Sequence, residues 1–580
     1  MSTNKLTKVE SVNQTKPSPY LIKSSTAKGF KSQFKHLKTG REKESFLQEP
    51  LQELPLSDRI LFEFFGQGVA QSPDHHLIHQ AIEQYASLNP NAIAVTHLGS
   101  SISYGQLNQK AELLAKKLIS LGVKPGDKVG LFLTRSIAMV VGILAVLKLG
   151  AAYVPQHLGV TKDKQLLHII KVANIKVILT LSDLAHLLPP MHSCHLVWAD
   201  EVIDGKTYQH LVLPDLSQYR DGSLLSFVLF TSGTTGQPNG VCVSHRNLCN
   251  IVLTAPGNLA VQPGQKVAQV LSIAFDMAAW EIFTSLAHGA TLCIRGKKVC
   301  DIDPDVETII ATPSILAMLN PADFQQIKCV AVAGEPCPKP LADLWSGYCC
   351  FYNSCGPTET TIVNTMQDYR PEQKPLTIGS PTPNNTVYVL DENEKPCRIG
   401  ETGVMWAGGE CVTWGYLGND ELTGQRYKQD PFIGDGAMMF RTGDLGRWNA
   451  DGELEHLGRI DDQVKVKGFR VELDSVSACL EHVPGCRQAV TLKLDKESLI
   501  AFVSPAEQSM EALQQAALQG LPYYAVPKAI IPLAELPVTP RGKVDKRALL
   551  AGYQANEYPQ AKPEQSEQVQ SVSAAGDSYE

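Results

Sequence analysis

A run of small hydroxyl residues and glycines, Thr231-Ser232-Gly233-Thr234-Thr235-Gly236, follows the apolar stretch Leu224 to Phe230 and continues as Gln237-Pro238-Asn239-Gly240. Glycines let a backbone turn its N–H groups toward one point, and hydroxyls add donors, so such a loop can cradle phosphate oxygens. It is not a Walker loop, because no Gly-Lys-Ser/Thr closes it. An ordinary Gly/Ser/Thr turn has the same composition, and the loop alone leaves that reading open. Four more polar turns follow in order: Asn353-Ser354-Cys355-Gly356-Pro357-Thr358-Glu359-Thr360-Thr361, Phe440-Arg441-Thr442-Gly443-Asp444-Leu445, the segment Gly458-Arg459-Ile460-Asp461 to Gly468-Phe469-Arg470, and Pro540-Arg541-Gly542-Lys543-Val544-Asp545. Each has a plain alternative when taken singly: Asp444 a helix cap, Arg459 a surface charge, Lys543 a solvated loop lysine.

The elements that must position these turns alternate between helix and strand. Ser103 to Gln106 fits a capping box, and Leu107, Ala111, Leu114, Leu118 and Leu121 follow at helical spacing until Gly122. Lys128 to Leu133 reads as a strand, with a helix through Met139 to Leu149 after it. Alternation continues to about residue 440, which predicts an α/β body with largely parallel sheets. The expected architecture is a large N-terminal domain over 56–460 and a small, mobile C-terminal α/β domain over 461–550. Residues 1 to 44 hold ten Lys or Arg against three Glu, so 1–55 is expected to be a disordered basic arm, either a solubilising tail or a docking element. The Gln-, Ser- and Glu-rich stretch 551–580 is expected to be a disordered tail.

Composition narrows the class. Of 580 residues, 43% are hydrophobic and 19% charged, enough for a sizeable core. A net charge of −7 gives no sign of nucleic-acid binding. The apolar run Ala138 to Pro155 is interrupted by Gly142, Lys148 and Gly150 and reads as a buried helix entering a strand, not a membrane span. The N-terminus has no apolar signal core, and the 14 cysteines show no paired CxxC spacing; both predict a cytoplasmic protein with free thiols.

Taken together and in order, the five turns resemble those of the adenylate-forming superfamily, and within it the adenylation domains of nonribosomal peptide synthetases, over roughly residues 60 to 550. The resemblance implies ATP and Mg²⁺ as cofactors. Thr231, Ser232, Gly233, Thr234, Thr235 and Gly236 would hold the β- and γ-phosphates. Thr358 would touch the α-phosphate, Glu359 would bind Mg²⁺, and Lys543 would reach both the substrate carboxylate and the α-phosphate. Asp444 would hold the ribose, with Arg459 nearby. Gly334, Glu335, Pro336, Asn353, Ser354, Cys355 and Lys465 would complete the nucleotide site. Asp461 would be a hinge about which the small domain swings, bringing the segment around Gly468 toward a carrier's pantetheine arm. This set suits its chemistry: a carboxylate attacking an already anionic phosphorus needs cations between the two.

Asp276, in Phe275-Asp276-Met277, matches the acid that receives a substrate α-ammonium; a buried carboxylate is costly unless paired. A strand-end Asp capping the next helix is the alternative. Around it the resemblance places Met277, Trp280, Ile310, Ala331, Ala333, Ser354, Gly356, Ile362 and Val363. None is charged. Met277 and Trp280 favour glycine, then alanine; Ala331 and Ala333 leave an aromatic substrate as a rival. Three positions depart from the family: Asn239 for a usual Lys, Cys355 for an aromatic that stacks on adenine, and Gln156-His157 for Leu-Asp. These departures, with no partner domains visible, point to stand-alone glycine-activating ligases of lipid A glycylation. The implied partner is a phosphopantetheinylated carrier protein in trans. His75-His76 lacks the rest of a condensation motif, and an exposed helix near Ala81 to Tyr85 is expected there. Gly576-Asp577-Ser578 is discounted as a pantetheine site. An acyl- or aryl-CoA ligase and an inactive nucleotide-binding scaffold are the alternatives; Asp276 argues against the first, and Lys543, Glu359 and Asp444 against the second.

Overall fold

The computed structural model of the chain describes residues 51–558, except 52–53, 159, 191–193, 202, 204–205, 232–236, 373, 435, 461–462, 468, 496 and 538–543. The expected basic arm up to residue 50, the tail from 559 and Gly576-Asp577-Ser578 lie outside the described residues.

Two parallel-rich sheets form the large lobe. In one, Lys128–Phe132, Ala152–Gln156 and Leu225–Thr231 run parallel, and Asn239–Ser244 closes an edge antiparallel to Leu225–Thr231. In the other, Lys266–Gln269, Thr308–Ala311, Cys329–Val332 and Cys350–Cys355 run parallel, with antiparallel strands at both ends. Both bury their strands on two faces, which is why the sequence reads as apolar runs rather than alternation.

Helices fill the space between these sheets. Ile137–Lys148 touches Lys128–Phe132 and Ala152–Gln156 of one sheet and Ile93–His97 of the other. Its residues from Met139 onward are buried on every side, and each large aliphatic there contributes roughly 1.5–3 kcal/mol. Lys148 ends it as a buried cation paired with Glu83. Tyr104–Ser120 packs alongside and begins at the expected Ser103–Gln106 capping box.

Three expectations are corrected. Alternation does not persist to residue 440: Asn385–Leu390, Gly403–Gly409, Tyr427–Gln429, Met438–Trp448 and Leu454–Arg459 form an antiparallel sheet. The helix at Ala81 to Tyr85 is not exposed. It spans Ile78–Leu88 and buries Ile78, His79, Ala81, Ile82 and Ala86, because its apolar residues recur on one face. Order also passes both expected ends of the globular body. Leu51 and Leu54 are buried beside Phe62 and Trp406, helix Lys546–Gln554 runs past 550, and the Tyr558 ring lies 5.8 Å from that of Phe502.

The small lobe opens with a hairpin, Gln463–Val466 against Phe469–Glu472. Its sheet follows: Gln488–Lys493, Leu499–Ser504 and Ala529–Pro532. Helices Leu473–Glu481 and Met510–Gly520 cover one side of it around Val476, Leu480, Leu513 and Ala517.

Candidate active site

Asp276 is the first residue of helix Asp276–Ala287, preceded by Phe275, whose side chain makes no cap bond. The Thr358 hydroxyl, the Lys465 charge and the Met277 N–H all act on its carboxylate. Burial pushes this carboxyl above the usual range, against the pull of the Thr358 bond, Lys465 and the Met277 amide. Asp276 therefore opens a helix while burial disfavours its charge.

Thr358 and Glu359 sit on a single 3₁₀ turn, Thr358–Thr360, between strand Cys350–Cys355 and strand Thr365–Tyr369. The turn is locally overdetermined. Thr360 Oγ1 donates to the Pro357 carbonyl at 3.0 Å, and Thr361 Oγ1 to the Cys411 carbonyl at 2.7 Å. Thr361 and Ile362, both β-branched, are held at φ of 53° and 72°. Such residues rarely occupy that region, and strain of this kind gathers at functional sites. It lets the chain double back so that Gly356 meets Val363: a Cβ on Gly356 would lie 2.6 Å from Val363 Cα.

Glu359 is fully buried. It accepts from the Tyr416 hydroxyl at 2.7 Å and from Arg470 Nη1 at 2.9 Å. Burial works to raise its pKa, but Arg470 and Tyr416 outweigh it and hold the carboxyl below the usual range. Tyr416 and Arg470 are site residues that motif order does not single out. Arg470 stands in the sequence only as the last letter of a motif, and Tyr416 carries no signal there.

Asp444, in strand Met438–Trp448, pairs across the ladder with Arg459. Arg459 Nη1 reaches Asp444 Oδ1 at 2.8 Å, and His456 Nε2 lies 3.3 Å from the same oxygen. Burial opposes ionisation, yet His456 and Arg459 keep this carboxyl below the usual range. Burial and the neighbouring Arg470 charge lower the pKa of Lys465, on the hairpin, against the opposing pull of Asp276, Asp444 and Cys355. Burial pushes the Cys355 thiol up to about 12. Beside it a cavity of about 10 Å³, bounded in part by Pro357, Thr442 and Asp444, has room for one water and not for a purine.

Asn353 Nδ2 donates to the Thr377 carbonyl at 2.6 Å, and the buried Ser354 hydroxyl has no partner among the described residues. Gly334 takes φ 87°, and a Cβ there would sit 3.6 Å from Met277 Sδ. Glu335 turns aside to accept the Ser314 N–H at 2.9 Å, and Pro336 is exposed. Met277, Trp280, Ile310, Ala331, Ala333, Ile362 and Val363 are all buried in one core cluster. Trp280 is pinned, its indole donating to the Gly257 carbonyl at 2.6 Å.

Thr231 and Asn239 form a cross-strand pair between Leu225–Thr231 and Asn239–Ser244, Thr231 Oγ1 lying 3.5 Å from the Asn239 carbonyl. The Asn239 side chain accepts from Asn419 at 3.3 Å. His157 lies 3.3 Å from Ser272 Oγ, its ring pKa lowered to about 4 by burial and by Arg135 and Arg295. Ser232, Gly233, Thr234, Thr235, Gly236, Asp461, Gly468 and Lys543 lie outside the described residues. Among the described residues no group of three or more His, Cys, Asp or Glu could hold a metal, and no helix is long and apolar enough to cross a membrane.

Comparison with known proteins adds the following. Residues 82–417 match the family model described as AMP-binding enzyme. The chain is 47% identical over 503 residues to Adenylate-forming reductase 06235 of Coprinopsis cinerea, covering 86% of this chain and 49% of that protein. It is 33% identical over 496 residues to Gramicidin S synthase 1 of Brevibacillus brevis, covering 83% of this chain and 45% of that one. The chain thus spans about half the length of these two curated relatives. Its fold is similar to the Vibrio cholerae adenylation domain AlmE, solved with glycyl-adenosine-5'-phosphate. The TM-score is 0.70 at 20% identity, covering 84% of this chain and 99% of that one, a likeness of fold alone.

Proposed function

The chain belongs to the AMP-binding enzymes, and from that premise we propose that it activates a small amino acid as its aminoacyl-adenylate and passes the acyl group to a carrier's phosphopantetheine thiol. One observation supports the reading: Asp276 begins the helix Asp276–Ala287, burial disfavours its charge, and Thr358 and Lys465 both act on it. A substrate ammonium would further favour its ionised form.

In the first step a carboxylate oxygen of the substrate bonds to the α-phosphorus of ATP, and the bond to pyrophosphate breaks. No general base is needed, since the carboxylate is ionised at about pH 7. Asp276 anchors the ammonium, Asp444 with Arg459 holds the ribose, and Lys543 supplies positive charge between the two anions. In the second step sulfur bonds to the acyl carbon, AMP leaves with the C–O electron pair, and the thiol proton passes to water. Mg²⁺ at Glu359 does not fit the arrangement described, because Arg470 and Tyr416 already engage that carboxylate; no step is routed through it.

Glycine, then alanine, remain the proposed substrates. The packed, uncharged wall of Met277, pinned Trp280, Ile362 and Val363 supports a small side chain. The 47% identity to an adenylate-forming reductase favours a second reading of the product's fate, in which a reductive step consumes the activated acyl group. Delivery to lipid A glycylation rests on resemblance alone. Amino-acid-dependent ATP–pyrophosphate exchange across the twenty amino acids tests the proposal: strong exchange with one small uncharged amino acid is expected, and exchange with none of them defeats it.

A further inference from the structure

Strands Met438–Trp448 and Leu454–Arg459 pair antiparallel, and their register slips once. Asp444 pairs with Arg459 and Gly446 with His456, so two steps along one strand answer three along the other. The surplus residue makes a bulge at Leu457 and Gly458. Gly458 takes φ 104°, where L side chains are rare, and a Cβ there would meet nothing within 4 Å. Leu457 is exposed.

The bulge decides what faces Asp444. In a regular strand, side chains three residues apart point to opposite faces of the sheet. His456 and Arg459 are three apart, yet both reach one carboxylate oxygen: Arg459 Nη1 lies 2.8 Å and His456 Nε2 3.3 Å from Asp444 Oδ1. Oδ2 takes no hydrogen bond from any described residue. One oxygen is held and the other is left to accept. The backbone is fixed as well. Asp444 N–H donates to Thr442 Oγ1 at 3.0 Å, and that hydroxyl donates to the Met405 carbonyl at 2.7 Å.

The same bulge sets the proton of the ring. Gly458 N–H donates to His456 Nδ1 at 3.3 Å. A ring nitrogen that accepts carries no hydrogen, so the neutral ring bears its proton on Nε2, the atom that faces Asp444. A charged ring would set two N–H groups against each other at Gly458. His456 thus serves as a neutral donor, and Arg459 supplies the full counter-charge. We propose that His456 is a positioning residue for the nucleotide: with the Leu457–Gly458 bulge it holds Asp444 Oδ1, so that Oδ2 is presented to the ribose hydroxyls. This rests on the adenylate-forming reading, in which Asp444 holds the ribose.

Calorimetric binding of ATP, 2′-deoxy-ATP and 3′-deoxy-ATP to the full chain tests this without turnover. The unsubstituted chain should prefer ATP to at least one deoxy analogue. His456→Phe keeps a flat ring and removes the donor. It should weaken ATP about tenfold while leaving that analogue nearly unchanged, so that the preference is lost. His456→Gln returns an N–H at similar reach and should restore most of it. Gly458→Ala keeps both side chains but disfavours the bulge; it should lose the preference too, and serves if His456→Phe folds poorly. In ATP–pyrophosphate exchange, His456→Phe should raise KM for ATP with kcat changed less than about twofold. No preference in the unsubstituted chain, or a preference that survives in either folded variant, overturns the inference. So does equal weakening of ATP and both analogues, which is the mark of a merely structural histidine. A chain whose preference depends on His456 but which exchanges with no amino acid defeats the proposed function and leaves this inference standing. A chain that binds no ATP defeats both.

Discussion

Asp276 is a carboxylate whose burial disfavours its charge. Its pKa is raised by burial, so its ionised form is penalised at neutral pH, and that penalty vanishes as pH falls through the raised value. Two outcomes follow. Asp276→Asn should raise the thermal midpoint of the unliganded protein at neutral pH while removing the preference for an α-amino group, a trade of stability for function. Asp276→Ala should cost about 3–5 kcal/mol in discrimination between an amino acid and its des-amino analogue, as for breaking a buried pair. Competitive exchange assays read this directly, and unchanged discrimination would remove Asp276 from the site. Asp444 behaves oppositely. Its pKa is held low by His456 and Arg459, so it stays ionised until pH falls below the ordinary carboxylate range. As pH drops from neutral, KM for the amino acid should therefore rise before KM for ATP; a simultaneous rise would contradict the assignment.

At the scale of elements, the site depends on a turn that doubles back. Gly356 lies against the backbone of Val363, and Thr361 and Ile362 accept a left-handed conformation to bring it there. Gly356→Ala should cost roughly 1–3 kcal/mol through overpacking, seen as a lower unfolding midpoint with weakened exchange activity. An unshifted midpoint would show that the turn can relax. This strain is not legible in the sequence, because nothing in the residue types of Thr361 and Ile362 announces a positive φ. The capping box at Ser103 is legible, since it is a local pairing of side chains with backbone at fixed spacing. So is the buried helix Ile137–Lys148, as an unbroken apolar run. The antiparallel sheet from Asn385 to Arg459 is not, and its segments read from sequence as continued alternation. Its strands pair antiparallel with near neighbours in sequence, and among the described residues the short helix Asp420–Arg426 is the one helix between them.

For the whole molecule, the question is which lobe supplies which charge, and when. The large lobe carries Asp276, Thr358, Glu359 and Asp444 on three elements, the helix Asp276–Ala287, the turn after Cys350–Cys355 and the strand Met438–Trp448. The small lobe contributes Lys465 and Arg470 through one hairpin. Motif order points to the first group; the pairing of Arg470 with Glu359 needs three dimensions, because the residues stand 111 apart in the chain. Lys543→Ala should abolish adenylate formation while sparing transfer from preformed adenylate, and equal loss of both half-reactions would contradict two working poses. The most direct measurement is capture of the intermediate: mass spectrometry of the chain incubated with ATP, Mg²⁺ and glycine or alanine. An enzyme-bound aminoacyl-AMP that disappears in Asp276→Ala is the predicted result. Hydrolysis of ATP with no amino-acid adduct to AMP, or an adduct formed equally well from a des-amino acid, would contradict it.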